Sequence, residues 1–148
     1  MTAVTTTSSH VDLAARLRLA VTRTARRLRQ EAGSDLSPSL AAALATVERH
    51  GPLTPSELAD AERVQRPTAT RIVARLEAEG LVERVGDPRD GRVTLLSATP
   101  KGVALLRKLR TRKNAYLARR LRPLPAEDLA ALERAADVLE RMLEDGRA

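Results

Sequence analysis

Five of the eight prolines in this 148-residue chain stand where a helix can begin, and no other feature divides the sequence so firmly. Proline has a fixed φ and no N–H, so it is tolerated at the first helical position, where that N–H would lack an intrahelical partner anyway. Pro38, Pro55, Pro67, Pro100 and Pro125 occupy such positions. Ser37, Thr54 and Thr99 immediately precede three of them and can accept from the free N–H groups of the first turn. Thr54-Pro55-Ser56-Glu57 also has the form of a capping box, with Glu57 placed to reach back to the Thr54 backbone. These starts predict helices over 38–50, 55–61, 67–79, 100–122 and 125–145, with Gly51 and Gly80 closing the first and third.

Ahead of them, Leu13, Leu17, Val21 and Leu28 recur at helical spacing and predict a helix over 10–31, stopped by Gly33. The Thr/Ser-rich residues 1–9 are expected to form a disordered tail. Between Leu81 and Ala98 the period changes. LVERV and VTLLS are short, apolar and β-branched, and GDPRDGR between them is made of turn formers, so this stretch predicts a hairpin.

Composition narrows the chemistry. The chain is 43% hydrophobic but 1% aromatic, so the core must be built from Leu, Val, Ile and Ala, which favours helices. The formal charge of +7 attracts polyanions, though without sequence preference. There is no cysteine, and His10 and His50 lie far apart, which argues against a metal site or disulfide. Neither a Ser-His-Asp arrangement, a phosphate-cradling glycine loop nor a convincing pair of carboxylates is present, so neither an enzyme nor a cofactor is expected. No run approaches the roughly 20 apolar residues of a membrane span, and the N-terminus lacks a signal-like apolar region, so a cytoplasmic protein is expected.

A short capped helix, a brief link and a longer helix form a helix-turn-helix. In the second helix Ala69, Ile72, Val73 and Leu76 follow the i, i+3, i+4, i+7 pattern of a core face. Thr68, Arg71 and Arg75 share the opposite face, and Gln65, Arg66 and Thr70 crowd the N-terminal end. Arginine can bond guanine through two donors, and threonine can meet a base edge or the thymine methyl. The plain alternative is a solvated helix face. The adjoining basic hairpin favours DNA. In its turn, Asp87-Pro88-Arg89-Asp90-Gly91-Arg92, acids and bases alternate. The expected arrangement is Asp87 bracing Arg92 across the hairpin, with Arg89 exposed at the tip for a narrow minor groove.

LTPSELAD, TATRIVARLEAEGLVER and DPRDGRVTLLSATPKG, in that order and spacing, resemble the multiple-antibiotic-resistance regulator (MarR) family of winged-helix transcription factors. The resemblance is strongest over Leu53 to Gly102 and departs at Gln65-Arg66-Pro67, where family members often carry a small capping residue. It implies a mainly α fold with a small β-hairpin wing, a winged helix-turn-helix plus terminal dimerisation helices. It also implies a homodimer reading a pseudo-palindrome in double-stranded DNA, with recognition helices in major grooves and wing arginines in the minor groove.

The corresponding organisation is a tail at 1–9, a dimerisation helix and linker at 10–36, the DNA-binding domain at 37–99 and C-terminal dimerisation helices at 100–148. Leu129, Leu132, Ala136, Leu139 and Leu143 form one stripe, and helices 10–31 and 100–122 carry similar ones. A small winged helix needs few helices to close its core, so the surplus apolar surface argues for dimerisation through Leu13, Leu17, Val21, Leu129, Leu132, Leu139 and Leu143. The many cations of helix 100–122 are expected to pair with acids of the last helix, or of its dimer mate, in preference to forming a second DNA surface. The family resemblance adds a small aromatic or anionic effector as an expected partner. For it the sequence offers Tyr116 as the sole aromatic, or an apolar pocket with an arginine for a carboxylate. The expected function is sequence-specific transcriptional repression. The alternative is a non-specific architectural DNA-binding protein of nucleoid type.

Overall fold

The structure, a computed structural model, describes residues 3–145. Within them α1 (Ala3–Ala32), α2 (Pro38–His50), α3 (Pro55–Glu62) and α4 (Arg66–Ala78) precede a hairpin of β1 (Val82–Gly86) and β2 (Thr94–Ala98). Then come α5 (Pro100–Leu121) and α6 (Ala126–Asp145), so the fold is mainly α with a two-stranded antiparallel wing, as expected.

The proline-led starts are real, with local differences. The Ser37 side chain accepts from Leu40 N–H, and that of Thr54 from Glu57 N–H. The Glu57 carboxylate does not reach the Thr54 backbone as the capping box predicted; it accepts from the Thr54 hydroxyl at 3.1 Å. Pro125 precedes α6 instead of opening it, and its carbonyl accepts from Leu129 N–H at 3.1 Å. α1 begins at Ala3, so the expected tail at 1–9 is helical from that point, while Met1 and Thr2 lie outside the described residues. No proline or glycine interrupts the chain before Gly33. Once nucleated, the helix therefore propagates back through Thr and Ser, whose propensities are only mildly unfavourable.

Two compact units divide inside α5, between Lys113 and Asn114, rather than at its first residue. In the first, Leu44 and Val47 of α2, Leu58 of α3 and Val73 and Leu76 of α4 are fully buried with Leu81 and Leu96 of the hairpin region. No polar or charged residue is buried among the described residues, so this is an aliphatic core. The hairpin runs in the register Val82↔Ala98, Arg84↔Leu96 and Gly86↔Thr94. Leu53 adds a bridge to Leu96 through hydrogen bonds of 2.7 and 3.1 Å, joining the wing to the α2–α3 connection. In the second unit, α6 buries none of its residues.

The tightest approach lies where α5 begins. A Cβ on Gly102 would sit 2.2 Å from the Leu81 carbonyl oxygen, whereas one on Gly86 would meet nothing within 4 Å. Gly102→Ala is expected to lower unfolding stability by about 1–3 kcal/mol, and Gly86→Ala to stay within about 0.5 kcal/mol of wild type. Urea denaturation of both variants checks the pair. Equal stability would show that the α5 start is not the contact that limits packing.

Candidate nucleic-acid interface

α3 and α4 form the helix-turn-helix, and its inner side follows the apolar spacing. Ala69, Val73 and Leu76 are buried and Ile72 is partly buried, which turns Arg71 and Arg75 outward. Thr68, expected on the same outer face, is half-buried. Gln65, Arg66 and Thr70 are exposed at the N-terminal end. The Thr70 hydroxyl donates to the Arg66 carbonyl at 2.9 Å, so only its lone pairs and methyl remain for an outside partner. Gln65 occupies the N-cap position without a side-chain cap hydrogen bond.

The far end of α4 is clamped. Gly80 turns the chain at φ +72°, a conformation glycine adopts without a Cβ penalty. The carbonyls of Glu79, Gly80 and Leu81 then meet α5 and the residue before it. Lys101 Nζ donates to Glu79 O at 2.8 Å, the Thr99 hydroxyl to Gly80 O at 2.6 Å and Thr99 N–H to Leu81 O at 3.0 Å. Glu77 ties α4 to the wing by accepting from Arg84 Nε at 3.0 Å and pairing with its terminal nitrogen at 2.9 Å. Sequence reading missed this link because it depends on strand register. Glu79 pairs with Arg75 Nε, one turn back, at 3.0 Å.

At the wing tip the expected brace is replaced. Arg92 pairs with Asp90 at 3.3 Å, not with Asp87. Asp87 instead accepts from the Arg89 backbone N–H at 2.8 Å, and Asp90 likewise from Arg92 N–H at 3.1 Å. Both are aspartates bonding the backbone two residues ahead, a local preference that prevails over pairing across the hairpin. Arg89 remains exposed, as expected. Among the described residues, the side chains of Arg66, Arg71 and Arg89 make no hydrogen bond or ion pair.

This geometry matches a known group of proteins. Residues 36–94 fit the model of the MarR family. An HTH-type transcriptional regulator of Mycobacterium bovis is 37% identical over 138 residues, covering 93% of this chain and 96% of the relative. The multiple antibiotic resistance protein MarR of Salmonella typhimurium is 31% identical over 100 residues, covering 67% of this chain and 69% of that one. The chain belongs to the MarR family. It is a DNA-binding transcriptional regulator and not an enzyme. A transcriptional regulator structure from Pseudomonas aeruginosa shares the fold with TM-score 0.82 and 35% identity over 91% of this chain and 96% of that one.

Within the first unit this MarR-family chain also has a cleft of about 560 Å³, lined by apolar residues such as Leu28, Leu36 and Leu106 and by Arg29, Arg110 and Lys113. None of its lining residues is aromatic. Arg110 bonds both carboxylate oxygens of Glu48, at 3.1 and 3.4 Å, and that bond is the main reason the Glu48 carboxyl is held below its ordinary pKa. A carboxyl lowered in the folded state contributes stability at neutral pH and loses it as pH falls through the lowered value. The half-buried Tyr116 belongs to the second unit.

The corrected wing pairing has a direct check. Asp87→Ala and Arg92→Ala are expected to act additively on stability within about 0.5 kcal/mol in a double-mutant cycle. Coupling of about 1 kcal/mol or more would restore the cross-hairpin brace.

Proposed function

We infer that the chain acts in the cytoplasm as a homodimeric, sequence-specific repressor that places α4 in the major groove and the wing tip in the minor groove of a pseudo-palindromic operator. The observation that carries this reading is the sorting of charge over residues 65–92. Of the five acids in this stretch, Glu77, Glu79, Asp87 and Asp90 are engaged internally and Glu83 is exposed without a partner, while Arg66, Arg71 and Arg89 are left free. Engaged acids repel phosphate less, and free guanidiniums retain their donors for it. Arg71 is assigned to base reading and Arg89 to the minor groove, with Gln65, Arg66, Thr68 and Thr70 contacting DNA at the N-terminal end of α4. Arg75 joins them by exchange, since its pair with Glu79 is two-thirds exposed on the arginine side and such pairs hold weakly.

Dimerisation is supported by apolar side chains that have no cover. Leu13, Leu17 and Val21 on α1 are 50%, 37% and 50% exposed. On α6 Leu129, Leu132 and Leu143 are exposed as well, while Leu139 is half-buried. A second copy of the chain would bury each of these faces. The cleft supports an anionic effector with an apolar body over an aromatic one, because its lining supplies cations and aliphatic carbon but no ring.

A gel shift with DNA flanking the coding region is expected to show binding preferred over random duplex at moderate salt. Equal binding of all duplexes with a steep salt slope would instead favour the non-specific architectural reading. In a randomised-site selection, Arg71→Ala is expected to relax one position of each half-site at a cost of about 1–3 kcal/mol, and Arg89→Ala to weaken binding with little change in preference. Matching profiles for the two variants would refute that division of labour.

A further inference from the structure

Three described residues have positive φ, and the chain places glycine at two of them, Gly33 and Gly80. The third is Arg63, at φ 53° and ψ 44°, closing α3 in the turn that leads into α4. The backbone requires this conformation there. Arg63 N–H donates to Asp60 O at 3.2 Å and Val64 N–H to Ala59 O at 3.0 Å, which ends the helix and redirects the chain. An L side chain in this region carries a steric cost that glycine does not.

No polar contact of its side chain offsets that cost. Arg63 is exposed, and its side chain makes no hydrogen bond or ion pair among the described residues. Two acids lie close in sequence, yet neither pairs with it. Glu62 accepts instead from the Thr46 hydroxyl of α2, and Asp60 is exposed without an ion pair. The guanidinium is therefore a free cation in the turn between the two helices of the helix-turn-helix, three positions before the equally free Arg66. Strain at a residue that folding does not need is commonly tied to function.

We propose that Arg63 contacts a DNA backbone phosphate from the helix-turn-helix turn and occupies a position suited to glycine for the sake of that contact. The inference rests on the DNA-binding reading above. It assigns Arg63 to affinity and positioning, because phosphate contacts carry no base information. It also gives stability and binding opposite signs at one residue, which a merely structural role would not do.

The test compares the wild-type chain, Arg63→Gly and Arg63→Lys by thermal melting and by titration with upstream and random duplexes over a range of salt. Arg63→Gly is expected to melt about 2–4 °C higher. It should bind both duplexes about tenfold more weakly at low salt, with the salt slope shallower by about 0.9 for each phosphate that Arg63 neutralises in the wild type. Arg63→Lys should keep the wild-type slope. An Arg63→Gly protein with wild-type affinity and slope overturns the phosphate contact, and one that melts lower than wild type overturns the strain argument. A wild-type protein that binds neither duplex refutes the regulator reading itself, a failure visible before any variant is compared.

Discussion

The close approach at Leu81 is the constraint on which the DNA-facing part of the molecule depends. There the end of α4, the start of the wing and the start of α5 meet within a few residues, and the absence of a Cβ on Gly102 is what lets them meet. Consecutive carbonyls at Glu79, Gly80 and Leu81, which would otherwise be left without helical partners, are satisfied by Lys101 and Thr99. A helix end fixed in this way cannot rotate independently of the hairpin that follows it. The tie between Glu77 and Arg84 adds a second fixed point beyond the turn.

The arrangement of charge follows from that rigidity. Four acids around the reading surface act on the protein: Glu77 and Glu79 pair with arginines, and Asp87 and Asp90 hold backbone N–H groups at the wing tip, while Asp60 and Glu83 stay exposed without partners. The cations left over are spread along the turn, the first two turns of α4 and the tip of the hairpin. An overall charge of +7 would attract any polyanion. In the proposed reading, preference for one duplex comes from side chains that a braced scaffold holds against base edges, and not from net charge.

Much of this was legible in the sequence, because proline and its caps act locally. α2, α3 and α5 begin at the prolines that marked them, and the apolar spacing of α4 identified its buried face. The hairpin strands were found within one residue of their ends. What escaped was set by longer-range geometry or by a competing local rule. Leu53 bridges to Leu96 as a single residue with no period to reveal it, and Glu77 meets Arg84 only once the strand has turned back. The wing pairing was different. Asp87 and Asp90 each bond the N–H two residues ahead, a local rule readable from sequence that competes with the longer pairing and wins. Arg63 carried no sequence signal, since only the backbone shows that its position favours glycine.

The proposed dimer would carry two copies of one reading unit across a single operator. Hydroxyl-radical footprinting of the protein on its upstream DNA tests this most directly. A dimer of this kind protects two related patches whose centres lie one helical turn apart, about 10 base pairs, or a whole multiple of it. A single unpaired patch, or protection spread evenly along the duplex, would contradict it.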